Sequence, residues 1–249
     1  MGLIVGWLEA IGDYALLLWN SILATREIHR SFGEVVRQIA AIGYGSLTIV
    51  MGSSTFVGLV SGVLISYQIK DYVPADLIGL GIWKGVSTEL APVLTALVVA
   101  GRVGGGLASE IGTMRVTEQI DALEVMGINP YRFIVLPRII AGIISIPLLT
   151  IVATFIAVLA ALFLTVYIYG LPSNPLINGI KASFVPKDLI VGGTKAFVFG
   201  GIITTVSCYF GYYTKGGAVG VGRSAMNAVV ASAVLILAAD FLISMYFYS

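Results

Sequence analysis

The sequence predicts an all-α integral membrane protein with about five transmembrane helices, because of its composition and its recurring apolar stretches. Of its 249 residues, 58% are hydrophobic and 11% are charged, whereas soluble domains are roughly 45–50% apolar and about 25% charged. The mean hydropathy is +0.99, and stretches of about 18 or more apolar residues recur along the chain. These values argue against a soluble globular protein, and five spans leave no room for a sizeable soluble domain.

Charged residues separate the apolar stretches and so define the spans. They predict one transmembrane domain over residues 1–249, with spans at residues 43–68, 78–101, 139–169, 189–213 and 225–248. The third stretch, of about 31 residues, is longer than a ~30 Å hydrocarbon core needs at 1.5 Å per residue. We therefore expect it to tilt, to kink at Pro147 or to extend beyond the bilayer.

Residues 1–40, ahead of the first span, predict an amphipathic helix lying in the membrane interface; a poor sixth span is the alternative. Trp7 and Trp19 are typical of interfacial anchors. The apolar residues recur at helical spacing: Trp7, Ile11, Ala15, Leu18 and Ile22. The one histidine of the chain, His29, falls in the charged end of this segment and is expected to be solvated.

The basic residues outside the spans are unevenly distributed between the two sides of the membrane. Nine of them, including all eight arginines, lie before span one, between spans two and three, or between spans four and five. The other side has three lysines, Lys70, Lys181 and Lys187. Because the more basic side faces the cytoplasm, the N-terminus is predicted to be cytoplasmic.

The cytoplasmic segment between spans two and three, residues 102–138, has four acidic residues and four arginines. Within it, Thr117 is a candidate N-cap, with Glu118 and Asp121 in the first turn and Gly127 just past the C-terminus. One apolar face would consist of Ile120, Leu123 and Met126. This pattern predicts a short helix parallel to the membrane, which either docks onto a soluble partner or packs on its own protein.

Several chemistries lack the residues they need. A single cysteine, Cys208, and a single histidine exclude an intramolecular disulfide and a cysteine or paired-histidine metal site. A net charge of +1 gives no indication of a nucleic-acid partner. The sequence has no G-x-x-x-x-G-K-[ST] motif to bind ATP phosphates.

Residues 220–225 match the glycine motif G-x-G-x-x-A of dinucleotide-binding folds. That fold requires a βαβ unit around the motif, whereas here a predicted span lies on each side of it. Gly220 and Gly222 instead predict a tight cytoplasmic turn, with Arg223 free to meet a phosphate headgroup or a partner.

Ionisable residues within the spans mark candidate functional positions, because charges at membrane depth are costly. Glu89 and Lys84 lie about 140° apart on the second span, so they do not form a simple pair along the helix. Glu89 either faces a cavity or a partner, or lies near the outer interface, where Lys84 would snorkel. Asp240 is expected to pair with Lys195 or a serine, as a structural group rather than a proton relay. The outer loop, residues 169–188, is either a partner contact or a connector.

Two long runs carry a specific resemblance. The first is ELAPVLTALVVAGRVGGGLASEIGTMRVTEQIDALEVMGINPYRFIVLPR, residues 89–138. The second is GYYTKGGAVGVGRSAMNAVVASAVLILAADF, residues 211–241. Together they cover about a third of the chain, and they resemble the signature of MlaE-type permeases, the MlaE/YrbE family. These are membrane subunits of ABC transporters that work with MCE proteins in lipid traffic.

The resemblance implies a homodimer with an interfacial N-terminal helix and about five membrane helices. A cytoplasmic ATPase would dock on a coupling helix near residues 117–126, and the implied coupling residues are Glu110, Arg115, Thr117, Glu118, Asp121 and Glu124. A lipid cavity would open toward a periplasmic MCE assembly, and its candidate residues are Glu89, Lys84 and Arg102. The chain itself is expected to bind no cofactor or metal and to be no enzyme, since the partner ATPase would use the ATP and Mg.

The resemblance implies a multi-pass protein of the bacterial inner membrane, with a plastid inner envelope left open, and it does not fix the lipid or the direction of transport. Two other functions remain. A self-sufficient secondary transporter or channel for an amphipathic substrate would need paired intramembrane charges or inverted repeats, whereas the charges look scattered. A lipid-modifying enzyme would need a clustered catalytic site, which one histidine makes a poor match.

Overall fold

The computed structural model describes residues 2–25, 31–69 and 72–248, and every regular element in these ranges is helical. The α-helices are α1 (Gly2–Ala24), α2 (Phe32–Ile39), α3 (Gly45–Ile69), α4 (Ala75–Gly85), α5 (Ala91–Val99), α6 (Gly105–Val116), α7 (Gln119–Val125), α8 (Leu136–Tyr167), α9 (Ser173–Ser183), α10 (Pro186–Tyr212) and α11 (Gly217–Tyr248). Four π-helical turns join or precede some of them: Ala40–Tyr44, Val86–Leu90, Ala100–Gly104 and Tyr131–Val135.

Five continuous helical stretches in the described residues are long and apolar enough to cross a membrane. They are Phe32–Gln68, Ala75–Val116, Tyr131–Tyr167, Pro186–Tyr212 and Gly217–Tyr248. The prediction of an all-α integral membrane protein with five spans is confirmed, and each predicted span overlaps one of these stretches. The second stretch has 42 residues, far more than the roughly 20 that cross a bilayer. It runs past the predicted span because the charged residues that follow do not break a helix.

The prediction of one interfacial helix over residues 1–40 is wrong in its extent. α1 ends at Ala24, and α2 continues through the turn Ala40–Tyr44 into α3, so residues 32–40 belong to the first spanning helix. The side chains of Trp7 and Ile11, and all of His29, lie outside the described residues. Of the predicted apolar stripe, Ile22 is exposed. Among the described side chains of α1, the buried ones are Leu17, Ser21 and Ala24.

The chain divides into two compact units. The first consists of Met1–Ile42, Ala100–Ile144 and Gly201–Val234, and the second of Gly43–Val99, Ser145–Gly200 and Leu235–Ser249. The first unit has a core of Leu17, Ile111, Ile120, Ile134, Val135, Cys208 and Tyr212. There, α1 packs on α10, where the Tyr14 and Thr205 hydroxyl groups lie 2.7 Å apart in a hydrogen bond.

In the second unit, the segment predicted as an outer loop contains α9, which packs closely on α4. Leu176 of α9 is fully buried. A Cβ atom on Gly79 would overlap the backbone of Leu176, and one on Gly179 would overlap the backbone of Asp76. Small residues permit this approach of helix backbones inside a membrane protein, so residues 173–183 form a packed part of the fold.

Substituting Gly79→Ala is expected to separate α4 from α9, because the new methyl group has no space against the Leu176 backbone. Overpacking of this kind costs about 1–3 kcal/mol, or about 3–10 °C in melting temperature for a chain of this size. Gly81→Ala on the same helix is the matched control, since its nearest neighbour would be Ile65 Cγ2 at 3.9 Å. Thermal unfolding in detergent should show a lower midpoint for Gly79→Ala alone; equal midpoints would mean that this contact does not stabilise the fold.

Candidate functional site

The segment between the second and third spans contains the short helix α7, but the predicted N-cap is wrong. Thr117 ends α6, and its hydroxyl donates to the Thr113 carbonyl oxygen at 2.8 Å. Glu118 occupies the N-cap position. Apart from glycines, it is the one described residue with a positive φ, 60°. The sharp turn between α6 and α7 therefore depends on a backbone conformation that residues with a side chain adopt uncommonly.

The C-terminus of α7 has the predicted glycine. Gly127 is left-handed, with φ of 74°. Its N–H donates to the Glu124 carbonyl oxygen at 3.0 Å, and the Ile128 N–H donates to the Leu123 carbonyl oxygen at 2.9 Å. These two bonds form a Schellman motif, which satisfies the last carbonyl groups of the helix. The C-terminal end of α7 is thus capped by residues that directly follow the helix in the sequence.

The acidic residues of α7 interact with the chain itself. Asp121 forms an ion pair with Arg115 of α6, and the Tyr212 hydroxyl of α10 donates to Glu124 Oε1 at 3.3 Å. Ile120 is fully buried in the core. These contacts fix α7 against two other helices of its unit.

The exposed surface of α7 is apolar at its C-terminal end. The side chain of Val125 is 89% exposed and that of Met126 is 64% exposed. Of the predicted apolar face, Ile120 is therefore buried and Met126 is exposed. We call Val125 and Met126 the exposed α7 tip.

Glu110 also interacts within the chain. Its Oε1 lies 2.6 Å from Nη2 of Arg138, whose side chain is 4% exposed. Nη1 of the same arginine donates to the Ile134 carbonyl oxygen at 2.7 Å. Glu110 also lines an open depression of about 290 Å³, together with Arg102, which is exposed. This carboxylate joins α6 to the beginning of α8.

Two tyrosine hydroxyl groups near this region stay neutral at physiological pH. Burial raises the pKa of Tyr14. Burial, reinforced by the neighbouring Tyr131 and Asp13, raises the pKa of Tyr213 to about 12. Both groups therefore act as neutral hydrogen-bonding groups.

The cytoplasmic turn predicted at Gly220 and Gly222 is wrong. Both glycines and the exposed Arg223 lie inside α11. The turn is formed instead by Gly216 and Gly217, whose φ values are 92° and 64°. Gly220 packs against the preceding turn, because a Cβ atom there would overlap the Lys215 carbonyl.

Charges that look scattered in the sequence meet in the second unit. Lys195 of α10 is completely buried, and its Nζ lies 2.7 Å from Glu89 Oε1 and 2.8 Å from Asp240 Oδ1. The Ser244 hydroxyl of α11 donates to Glu89 Oε1 at 3.0 Å. We call these four residues the Lys195 cluster. Lys84 is exposed and is not one of these partners.

The Lys195 cluster contains one expected ion pair and one that sequence reasoning missed. The expected pair joins Asp240 to Lys195. The missed partner, Glu89, lies in the π-helical turn Val86–Leu90, and its position on one helix alone gave no sign of a partner on another. A buried ammonium group needs anionic partners. That requirement is the one feature of the sequence that could have predicted a second carboxylate beside Lys195.

A cavity of about 510 Å³ lies in the second unit, between α4 with its following π-helical turn, α8 and α10. Its lining is largely apolar and includes Phe155 of α8 and Gly193 of α10. At one edge, the Trp83 and Phe184 rings lie 5.0 Å apart. The sequence gave no sign of this cavity, since its walls come from distant segments.

The chain is similar to known permeases over most of its length. The family described as Permease MlaE matches residues 35–246. A probable ABC transporter permease protein of Rickettsia felis is 36% identical over 240 residues, covering 96% of this chain and 93% of the relative. A protein of Synechocystis with the same description is 36% identical over 211 residues, covering 85% and 80%. The chloroplastic protein trigalactosyldiacylglycerol 1 of Arabidopsis thaliana is 36% identical over 215 residues, covering 86% and 61%.

Substituting Lys195→Met is expected to destabilise the protein, because it leaves two neighbouring carboxylates without their cation. Loss of one partner of a buried pair costs roughly 3–5 kcal/mol. We expect the low end of that range, since the Glu89 and Asp240 side chains are 41% and 20% exposed. The measurement is the unfolding midpoint in detergent.

Lys84→Met is the matched control, and removing this exposed lysine should change stability by less than about 0.5 kcal/mol. Adding Glu89→Gln and Asp240→Asn to Lys195→Met should restore most of the lost stability, because no unpaired charge then remains. If Lys195→Met unfolded no more easily than Lys84→Met, the Lys195 cluster would not contribute to stability.

Proposed function

Because the chain belongs to the MlaE family of permeases, we propose that it is the membrane subunit of an ABC-type phospholipid transporter. In this proposal it works as a homodimer with a separate cytoplasmic ATPase and an MCE-domain protein. ATP and Mg are used by the ATPase, and this chain is a non-catalytic subunit. The observation that carries the proposal is the match of the permease family MlaE to residues 35–246, together with relatives described as probable ABC transporter permeases.

The exposed α7 tip is the proposed docking point for the ATPase. An apolar residue as exposed as Val125, at 89%, next to a helix that is otherwise fixed by polar contacts, favours a protein partner. Asp121 and Glu124 are already paired to Arg115 and Tyr212. We propose that these carboxylates position α7 and that the apolar tip makes the contact.

The same contacts suggest how movement of an ATPase would reach the membrane helices. α7 is attached to α6 through Arg115 and to α10 through Tyr212. A partner that displaced α7 would therefore act on two spanning stretches. ATP would shift the permease between two states by binding one arrangement of this segment more tightly than the other.

Two observations support a lipid as the substrate. The chloroplastic relative is named after trigalactosyldiacylglycerol, which is a lipid. The cavity in the second unit has an apolar lining, as an acyl chain requires. The proposed location is an inner membrane with the N-terminus in the cytoplasm, on the distribution of arginines. Glu89, Lys84 and Arg102 remain candidates for contact with the lipid.

Val125→Glu is expected to release the ATPase, because docking would bury a carboxylate in an apolar contact. A penalty above about 1.4 kcal/mol lowers affinity at least tenfold. The measurement is a pull-down of the tagged chain from native membranes in mild detergent, with mass spectrometry of proteins and lipids. The wild-type chain should bring an ATPase, an MCE protein and a phospholipid.

Val219→Glu is the matched control, because Val219 is 77% exposed near the start of α11 in the same unit. It should retain the ATPase. Equal loss in both variants would point to a general effect of added charge. A wild-type chain that purified in several detergents without an ATPase would contradict the proposal.

A proton-coupled secondary transporter is the second candidate, and the Lys195 cluster is the observation in its favour. Ionisable groups at membrane depth often belong to ion pathways. Reconstitution of the purified complex in liposomes should separate the two. We expect movement of a fluorescent phospholipid to require ATP and to be unchanged by a pH gradient. Movement driven by the gradient without ATP would favour the secondary transporter.

A further inference from the structure

The cavity of the second unit has the size and chemistry of a ligand site. Its volume of about 510 Å³ lies within the range of roughly 300–1,000 Å³ that is typical of small-molecule pockets. Such pockets combine an apolar wall with a few polar groups that orient the ligand. A polar group of this wall that has no partner within the protein would therefore be available to a ligand.

Two polar side chains that line the cavity are buried without a hydrogen-bond partner. Trp83 is 9% exposed and Ser87 is 5% exposed, and neither Trp83 Nε1 nor Ser87 Oγ has a partner. The two residues are four positions apart on one helical stretch, so they lie on the same face. The indole N–H can only donate, and the hydroxyl can donate as well.

The other hydroxyl groups of the wall have their donors occupied. Thr150 Oγ1 donates to the Ile146 carbonyl oxygen at 2.9 Å, and Thr154 Oγ1 donates to the Thr150 carbonyl oxygen at 2.8 Å. What the cavity lacks is therefore a hydrogen-bond acceptor beside Trp83 and Ser87. Buried donors without an acceptor are rare in native proteins because they are costly.

We propose that this cavity binds one acyl chain of a bilayer lipid, whose ester carbonyl oxygen accepts hydrogen bonds from Trp83 and Ser87. An ester-linked acyl chain joins a long apolar body to an acceptor at one end, which is the combination that the wall requires. Tryptophan is also enriched at the depth of the membrane interface. The site lies within one chain and does not require the chain to transport lipid.

The two neighbouring glycines of α10 have different effects on this site. Gly192 lets α10 approach the Ser87 backbone, because a Cβ atom there would lie 2.5 Å from the Ser87 carbonyl oxygen. Gly193 also lines the cavity, but a Cβ atom there would have no heavy atom within 4 Å. A larger side chain at position 193 therefore has room to fill the cavity without displacing the backbone.

The first test uses the full chain in phospholipid nanodiscs without ATP or partners. The probe is a phosphatidylglycerol with a photoreactive diazirine in one acyl chain, and labelled peptides are mapped by mass spectrometry. We expect labelling to concentrate in residues 147–155 and 189–196. Gly193→Leu should lower it there about fivefold or more, because the side chain occupies the volume of the ligand.

Gly52→Leu is the matched control, since Gly52 is an exposed residue of α3 with open space around its position. It should leave the labelling pattern unchanged, and a melting temperature like that of wild type for both variants shows that they fold. Labelling spread evenly over the lipid-facing helices, or unchanged in Gly193→Leu, would overturn the proposal. A negative result would remove the cavity as a support for the lipid substrate, but because no transport is measured it would leave the permease assignment, which depends on the family match, unchanged.

The second test concerns the two donors. An ether-linked probe lacks the carbonyl acceptor, so the wild-type chain should label with the ester-linked probe about fivefold more efficiently, the effect of one or two hydrogen bonds. The double variant Trp83→Phe, Ser87→Ala keeps the apolar wall and should lose this preference. A wild-type chain without the preference would overturn the role of the ester. Displacement of the ester probe by equimolar palmitic acid would assign the site to a free fatty acid instead.

Discussion

The completely buried Lys195 is the constraint on which the second unit depends. An ammonium group away from water needs anionic partners, and these come from the π-helical turn that contains Glu89 and from α11, which contains Asp240. Three spanning stretches must therefore meet at one level. Gly192 makes this possible on one side, because the absence of a side chain lets α10 pack on the backbone of Ser87 in the same turn. Close packing and charge pairing thus support each other.

The fold class followed from composition, since chains this apolar can satisfy their backbone groups in lipid only as helices or closed barrels. The extent of the helices did not follow, because a charged residue ends an apolar stretch without ending a helix. The stretch beginning at Phe32 shows this. Thr117 failed as an N-cap for a similar local reason. Its hydroxyl finds an acceptor one turn back in α6, so Glu118 takes the unusual backbone conformation instead.

The sequence predicted where the short helix lies, but not which contacts its residues make. The short helix near residues 117–126 is present, but three of its predicted coupling acids, Glu110, Asp121 and Glu124, interact with Arg138, Arg115 and Tyr212 of the same chain. A single sequence shows which residues are charged and not which are already paired. Reversing the charge of Glu110 and Asp121 would therefore disturb the fold and any docking together. Val125 separates the two effects, because its side chain is 89% exposed.

The composition of the Lys195 cluster also bears on the choice between ATP-driven and proton-coupled transport. A relay needs a series of groups that exchange protons. In the described residues, the hydrogen bond that leads from Glu89 out of the ion pairs goes to the neutral hydroxyl of Ser244. Lys195 places its one ammonium group 2.7 Å from Glu89 Oε1 and 2.8 Å from Asp240 Oδ1, so a single cation pairs with carboxylates from two other spanning stretches. The cluster is therefore a pair of salt bridges between helices. The cluster is thus better suited to hold three spanning stretches together than to move protons.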